Sequence, residues 1–293
     1  MPQPVYILFG ALFTVSTAIA LGTFLIKRIT TPLDRAEYLL FSFLSGSAIL
    51  STLVFLLCAA QLARKGVFLV VGIAAISAAV RYRSLPPASS HQRTMFDNVF
   101  LALYAIFGII YFLQAMAPEH SPDGLTYHLG LVSHYYQWHG FRQISTNMYA
   151  NLSQGMEMLF LFAFAFGRHS SAALIHFAFL MALPLLMLRF ARRFELGPAG
   201  IVGATLVFLS PIVGVDGSSA YNDVSVACVL FGMFYLLQLT SPNRAILIAI
   251  GLLLAAIARF VRSEGGAAPL PGADGSQRTH MLTHAVCRAW RIH

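Results

Sequence analysis

A series of apolar runs constrains this chain more than any other feature of its sequence. Several runs approach the ~20 residues that an α-helix needs to cross the hydrocarbon core of a bilayer. Charged residues make up only 10% of the 293 residues, and the mean hydropathy is +0.72. An ordinary water-facing surface carries far more charge. The sequence therefore predicts an all-α fold, a polytopic bundle of transmembrane helices.

The apolar runs predict about eight spans, three in an N-terminal region (1–98) and the others in a membrane core (99–260). Lys and Arg gather on the cytoplasmic side, and Lys27 and Arg28 follow the first span. The chain is therefore predicted to lie in the cytoplasmic membrane with its N-terminus outside. The predicted spans are Val5–Ile26, Tyr38–Ala60, Val67–Val80, Val99–Ala117, Ser171–Phe190, Pro198–Val215, Val224–Leu239 and Ala245–Phe260.

The run Met156–Gly167 has only twelve residues. Runs this short are more often re-entrant or interfacial than spanning, so we expect this one to lie in the outer membrane surface. That placement puts Arg189, Arg192 and Arg193, at the end of the next span, on the cytoplasmic side. The loop 118–170, between the fourth and fifth spans, is then outside and carries juxtamembrane helices.

The apolar pattern stops abruptly after Arg259. The tail 261–293 is rich in Gly, Pro, Arg and His, and a segment of that kind cannot bury a core. It is predicted to be disordered, and its sudden start indicates a truncated or frame-shifted end.

Net charge and cysteine content exclude several other classes of protein. The net charge of +8 is explained by the gathering of Lys and Arg on the cytoplasmic side of membrane proteins. We therefore expect no nucleic-acid partner. Cys58, Cys228 and Cys287 are far apart, and they form neither a disulfide framework nor a zinc motif.

The longest polar stretch, Ala117 to Glu157, contains the first candidate for catalysis. Ser121 and Pro122 suit the start of a helix, and Asp123 follows them. The Asp123 carboxylate could simply be stabilised by the helix dipole. Alternatively, it is a general base at the mouth of a membrane cavity, and the spacing leaves both interpretations open.

The second candidate is Asp223, which stands after Asn222 at the start of the seventh span. An acid at the edge of the hydrocarbon slab is costly and indicates function, although helix capping would also explain it. The predicted topology puts Asp123 and Asp223 on one side of the membrane. We therefore expect the two carboxylates to flank one site.

The histidines of the polar stretch do not form a metal motif. His128, His134 and His139 lack the i, i+4 spacing of metal ligands on one helix face, so interfacial hydrogen bonding is the simpler interpretation. A divalent ion held by Asp or Glu with one His stays open.

Four further residues of the outer loop are candidates for substrate binding. Arg142 and Arg168 depart from the positive-inside tendency and could hold a phosphate, or could anchor to lipid headgroups. Glu157 begins an apolar segment that offers it no obvious partner. Tyr127 belongs to a group of aromatic residues typical of an interface belt, and a platform for sugar stacking would use the same residues.

The polar stretch resembles a known family. PEHSPDGLTYHLGLVSHYYQWHGF, then NMYANLSQGMEMLFLFAFAFG, then a span closing in RFARRF, is similar to the first outer loop and following helices of the GT-C superfamily of membrane glycosyltransferases. The closer likeness is to bacterial relatives of the protein O-mannosyltransferases and of the lipid A aminoarabinose transferase. It covers about half of the chain, from Val99 to Leu239. The family's acids of the first and second outer loops would fall on Asp123 and Asp223.

The resemblance implies transfer of a sugar from a polyprenyl-phosphate carrier to an acceptor on the outer membrane face. Asp123 would deprotonate the acceptor, and Arg142, with Arg168 as a second candidate, would stabilise the phosphate. Asp223, with a histidine or Glu157, would orient the acceptor or a divalent ion. The residues expected to bind substrate are Arg142, Arg168, His128, Tyr127 and Glu157.

Two alternatives to the transferase remain from sequence. A permease or flippase for a polar or lipid-linked solute would use the outer loop as a gate, but it predicts ionisable residues within the spans. An inactive truncated fragment would account for the abrupt C-terminus, and for the missing later spans that normally complete the donor site in the family.

Overall fold

The computed structural model describes residues 3–81, 86–87, 94–151, 154–239, 244, 246 and 248–253. Within these residues the protein is all-helical and contains no strand, as the sequence predicts. The predicted tail 261–293 lies outside the described residues. The helices are α1 (Gln3–Ile26), α2 (Arg35–Ala59), α3 (Lys65–Arg81), α4 (Met95–Met116), a π-helix (Gly124–His128), α5 (Leu129–Trp138), a 3₁₀ helix (Met148–Asn151), α6 (Gly155–Arg193), α7 (Gly197–Leu209), α8 (Pro211–Gly217) and α9 (Asp223–Gln238).

Four of the described helices, α1, α2, α4 and α6, are long and apolar enough to cross a membrane. A fifth span results if the bent pair of α7 and α8 is one span. The shorter helices α3 and α9 have 17 and 16 residues, and the predicted eighth span, Ala245–Phe260, falls mostly outside the described residues. The count of about eight spans therefore stays a prediction.

Close approach of backbones holds α1 against α2. A Cβ atom on Gly22 would lie 1.8 Å from the carbonyl oxygen of Ser42, and one on Gly46 would lie 1.7 Å from that of Ala18. Only glycine leaves room for such contact, and small residues are the usual means by which apolar helices pack without polar side chains.

The end of α6 is joined by ion pairs to the beginnings of α2 and α4. Asp34 and Glu37 form the capping box of α2, and Thr94 and Asp97 form that of α4. Three arginines near the end of α6 bind these capping acids, since Arg189 pairs with Asp34, Arg192 with Asp97 and Arg193 with Glu37. We call this the arginine end of the bundle.

The predicted segment Met156–Gly167 is separated from the next span, and it packs inside the helical bundle. Arg168 breaks α6 with φ 65° and ψ −150°. The segment before the break crosses α2 where Ser51 donates to the carbonyl oxygen of Gly155 (2.7 Å), and it meets α1 at Gly10. Its residues are buried on all sides. Neighbouring helices therefore cover this segment, and its position relative to the membrane surface stays a prediction.

The predicted sixth span, Pro198–Val215, is two helices that meet at 63°. Pro211 disfavours the helical conformation at the residue before it, and Ser210 is accordingly extended (φ −60°, ψ 121°). The bend turns α8 towards the loops at the end of the bundle opposite the arginines. We call that the polar end.

The helix predicted after Ser121 forms, with an irregularity at its start. Ser121 Oγ accepts a hydrogen bond from the amide of Gly124 (3.2 Å), as expected of a capping residue. Helical spacing in the sequence would put Leu125 on one face with His128, but Leu125 is exposed whereas His128 is buried. A π-helical turn holds more residues than an α-helical turn, and this rotates Leu125 off the face that His128 and Leu129 share.

Candidate functional site

Two loops meet at the polar end, and Glu119 joins them. Its Oε2 accepts a hydrogen bond from the amide of Ala220 (2.7 Å), while Oε1 accepts from Ser121 Oγ (2.7 Å) and from the amides of His120 and Ser121. Burial alone would raise the pKa of Glu119, but these hydrogen bonds hold it below its usual value. Glu119 thus ties the segment that carries Asp123 to the turn that leads into Asp223.

The negative charges of Asp123 and Asp223 both affect the pKa of Tyr127. Burial, together with the negative charges of the two carboxylates, raises the pKa of Tyr127 to about 12. Both aspartates are exposed. Tyr127 stacks on Tyr149, with ring centroids 4.3 Å apart and planes 19° apart. That these two acids flank one site stays a prediction, and so do the chemical roles expected of them.

His128 and Glu157 form a buried pair beside this cluster. His128 Nδ1 lies 2.7 Å from Oε1 of Glu157, and each residue is 4% exposed. The ring of His128 lies 4.4 Å from that of Tyr127 and 6.0 Å from that of Tyr221. The partner that the sequence did not show for Glu157 is thus His128.

His176, which the sequence analysis missed, supports the turn before α9. It is fully buried, and its Nδ1 donates to the carbonyl oxygen of Ser219 (3.0 Å) while Nε2 accepts from the amide of Ser225 (3.2 Å). A histidine inside an apolar span was the available signal, because ionisable residues there are costly without partners.

Asp216 completes the turn. Its Oδ2 accepts from the amide of Val224 (3.1 Å), and its carboxyl group hydrogen-bonds to that of Asp223. Asp216 and His176 thereby satisfy two of the amides that the start of a helix leaves free, since Asn222 makes no capping bond. Two carboxyl groups in contact share a proton, because both cannot ionise at that separation.

The two predicted phosphate ligands do not join this cluster by any contact among the described residues. The guanidinium carbon of Arg142 lies 5.8 Å from the ring centroid of Trp138. That of Arg168 lies 6.0 Å from Tyr136 and 5.6 Å from Phe164. Cation–π contact explains both positions, and a role in phosphate binding stays a prediction.

A divalent ion also stays a prediction. In the part of the chain that the structure describes, no three His, Cys, Asp or Glu side chains are grouped so that they could hold a metal ion. No step below is derived through a metal.

Comparison with known proteins gives no match: no family model, no curated protein and no solved structure matches this chain. The resemblance to GT-C glycosyltransferases therefore stays a prediction, and the proposed function is argued from the geometry of the site.

Proposed function

We propose that this protein transfers a sugar from a polyprenyl-phosphate carrier to a hydroxyl or amine acceptor at the outer face of the cytoplasmic membrane. The observation that carries the proposal is the link between the two loops through Glu119 and Ala220. That link brings Asp123 and Asp223, which are a hundred residues apart in sequence, to one aromatic cluster at the end of apolar helices.

The arrangement supplies the groups that such a reaction needs. The acceptor oxygen or nitrogen attacks the anomeric carbon of the sugar, and the bond from that carbon to the phosphate oxygen breaks. The phosphate leaves with the electron pair, and Asp123 takes the acceptor proton. Tyr127 and Tyr149 offer a flat aromatic surface for the sugar ring, and Asp223 orients the acceptor.

The site favours this transfer over a permease. A permease would need ionisable groups that are free to bind solute within the spans. His176 is the buried histidine of α6, and both of its ring nitrogens are engaged by the turn before α9. The carboxyl groups of the proposed mechanism, Asp123 and Asp223, lie instead at the polar end, and both are exposed.

Transfer from radiolabelled polyprenyl-phosphate sugars in proteoliposomes tests the function. We expect product from the wild type and a loss of about 10²- to 10⁴-fold in Asp123→Asn, because the asparagine cannot take the proton. Glu195→Gln is the matched control, since Glu195 is an exposed acid near the arginine end, and it should keep full activity. Full activity in Asp123→Asn would remove Asp123 from the mechanism, and no product from any carrier would reject the transferase.

A further inference from the structure

The buried pair of His128 and Glu157 leaves one ring nitrogen unused. His128 Nδ1 lies 2.7 Å from Oε1 of Glu157, and in the neutral tautomer that donates this hydrogen bond to the carboxylate, Nε2 carries the lone pair. Nε2 has no hydrogen-bond partner among the described residues. An unpartnered imidazole nitrogen of this kind is available to take a proton.

His176 shows the contrasting case in the same site. Both of its ring nitrogens are bonded to the backbone and its side chain is fully buried. It holds the turn before α9 and has no nitrogen left for a proton. Of these two buried histidines, His128 alone presents a free lone pair, and its ring stands beside the partly exposed Tyr127 and Tyr221.

Glu157 is placed to stabilise a charged His128. Its second oxygen, Oε2, is fully buried and has no hydrogen-bond partner among the described residues, so the contact with His128 is the bond that this carboxyl group makes there. The ring of Phe160 stands edge-on to the imidazole, 6.5 Å away. Attraction between an imidazolium and a carboxylate is stronger in apolar surroundings than in water. The other titratable groups that act on this pair are His176, Asp216, Tyr127, Tyr221 and, at Glu157, Tyr135.

The geometry points to His128, held by Glu157, as the group on which the acceptor proton comes to rest. The inference rests on the proposed function, in which Asp123 faces the acceptor and first takes that proton. An imidazole is in general a stronger base than a carboxylate, so a proton passed between the two is held by the imidazole. The proton leaves Asp123, directly or through water, and forms the new N–H bond at Nε2. Glu157 acts through His128 as a positioning residue.

Chemical labelling tests this arrangement without any transfer assay. An unprotonated imidazole nitrogen attacks a carbonyl carbon of diethyl pyrocarbonate and displaces ethyl carbonate, and mass spectrometry locates the product. We expect labelling of His128 and none of His176 in the folded protein. In Glu157→Gln the labelling of His128 should begin at lower pH, because the imidazolium has lost its counter-charge. Absence of label on His128 of the folded protein, or an unchanged pH dependence in Glu157→Gln, would overturn the inference.

The pH profile of transfer provides the second test. His128→Asn keeps a donor for Glu157 but has no basic nitrogen, and we expect a loss of at least about 10²-fold, with the rate no longer rising between about pH 5 and 8. His134→Asn is the control, since His134 is exposed and stacks on Trp138. This variant should change neither the transfer rate nor its pH dependence. A wild-type profile in His128→Asn refutes the role. A wild type without transfer activity rejects the proposed function, and the labelling result then still decides whether His128 is a free base coupled to Glu157.

Discussion

Oε2 of Glu119 lies 2.7 Å from the amide nitrogen of Ala220, and this bond joins the two loops of the polar end. Glu119 stands four residues before Asp123, and Ala220 stands three residues before Asp223. The relative positions of the two candidate acids therefore depend on one carboxylate.

Glu119→Ala should separate the loops. Removing the carboxylate leaves the amide of Ala220 and the capping groups of Ser121 without an acceptor, which costs about 1–3 kcal/mol in the free energy of unfolding. We expect transfer activity to fall as well, because Asp123 and Asp223 lose their fixed separation. Denaturant unfolding in detergent and the transfer assay measure the two effects. Glu195→Ala should change neither, and a Glu119→Ala protein with wild-type stability and activity would show that the bond is not needed.

The same link should weaken in acid. The folded protein holds the pKa of Glu119 below its usual value, because hydrogen bonds from Ala220 and Ser121 outweigh the effect of burial. A carboxyl with a lowered folded-state pKa stabilises the fold fully above the unfolded-state value, about 4.3 for glutamate. That contribution is lost as the pH falls through the folded-state value. The thermal unfolding temperature should therefore fall more steeply in the wild type than in Glu119→Ala as the pH is lowered from about 7 to 3. Parallel curves would contradict the assignment.

Arg193→Met should destabilise the arginine end strongly. Glu37 is buried, and Arg193 Nε lies 2.7 Å from its Oε1, while Tyr235 also bonds to it. Loss of the guanidinium leaves a buried carboxylate without its counter-charge, at a cost of roughly 3 kcal/mol. Arg189→Met is the matched control: Asp34 is about a quarter exposed, so we expect a cost of about 1 kcal/mol or less. Denaturant unfolding measures the stability of the two variants. Equal losses of stability would refute the view that burial of Glu37 makes its pair the more important one.

Gly46→Ala should disrupt the contact between α1 and α2. The added methyl group would lie 1.7 Å from the carbonyl oxygen of Ala18, so the helices must move apart, at a cost of roughly 3 kcal/mol. Gly66→Ala in α3 is the control, because nothing lies within 4 Å of the added atom. Thermal unfolding in detergent compares the two variants. A Gly46→Ala protein as stable as Gly66→Ala would disprove the close approach.

Arg168→Gly should be more stable than Arg168→Ala. Both variants remove the contacts of the guanidinium with Tyr136 and Phe164. The difference between their free energies of unfolding therefore measures the backbone strain at this position. The conformation at Arg168, φ 65° and ψ −150°, is one that glycine adopts freely, and it strains other residues by about 1–3 kcal/mol. Unfolding of both variants gives this difference directly, and equal stability would mean that the break in α6 carries no strain.

Much of the fold could be predicted from the sequence because helices in an apolar medium satisfy their own backbone hydrogen bonds. Runs of apolar residues therefore indicate α1, α2 and α4 within a few residues of their observed ends. The pattern did not show that neighbouring helices cover Met156–Gly167, since hydropathy does not say whether an apolar surface meets lipid or another helix. It also did not show the bend within Pro198–Val215, where the pattern is continuous but Pro211 bends the backbone.

For the site, the sequence by itself identified an unusual polar stretch and named Asp123, Asp223, His128 and Glu157 as costly residues beside apolar helices. Only the tertiary structure decided that His128 and Glu157 are partners, that Glu119 joins the loops, and that Arg142 and Arg168 lie against aromatic rings instead. The physical reason is the separation along the sequence over which each kind of signal acts. Hydropathy and helix signals act over a few turns of one segment, whereas hydrogen bonds between residues 29 and 101 positions apart form only after the helices have packed.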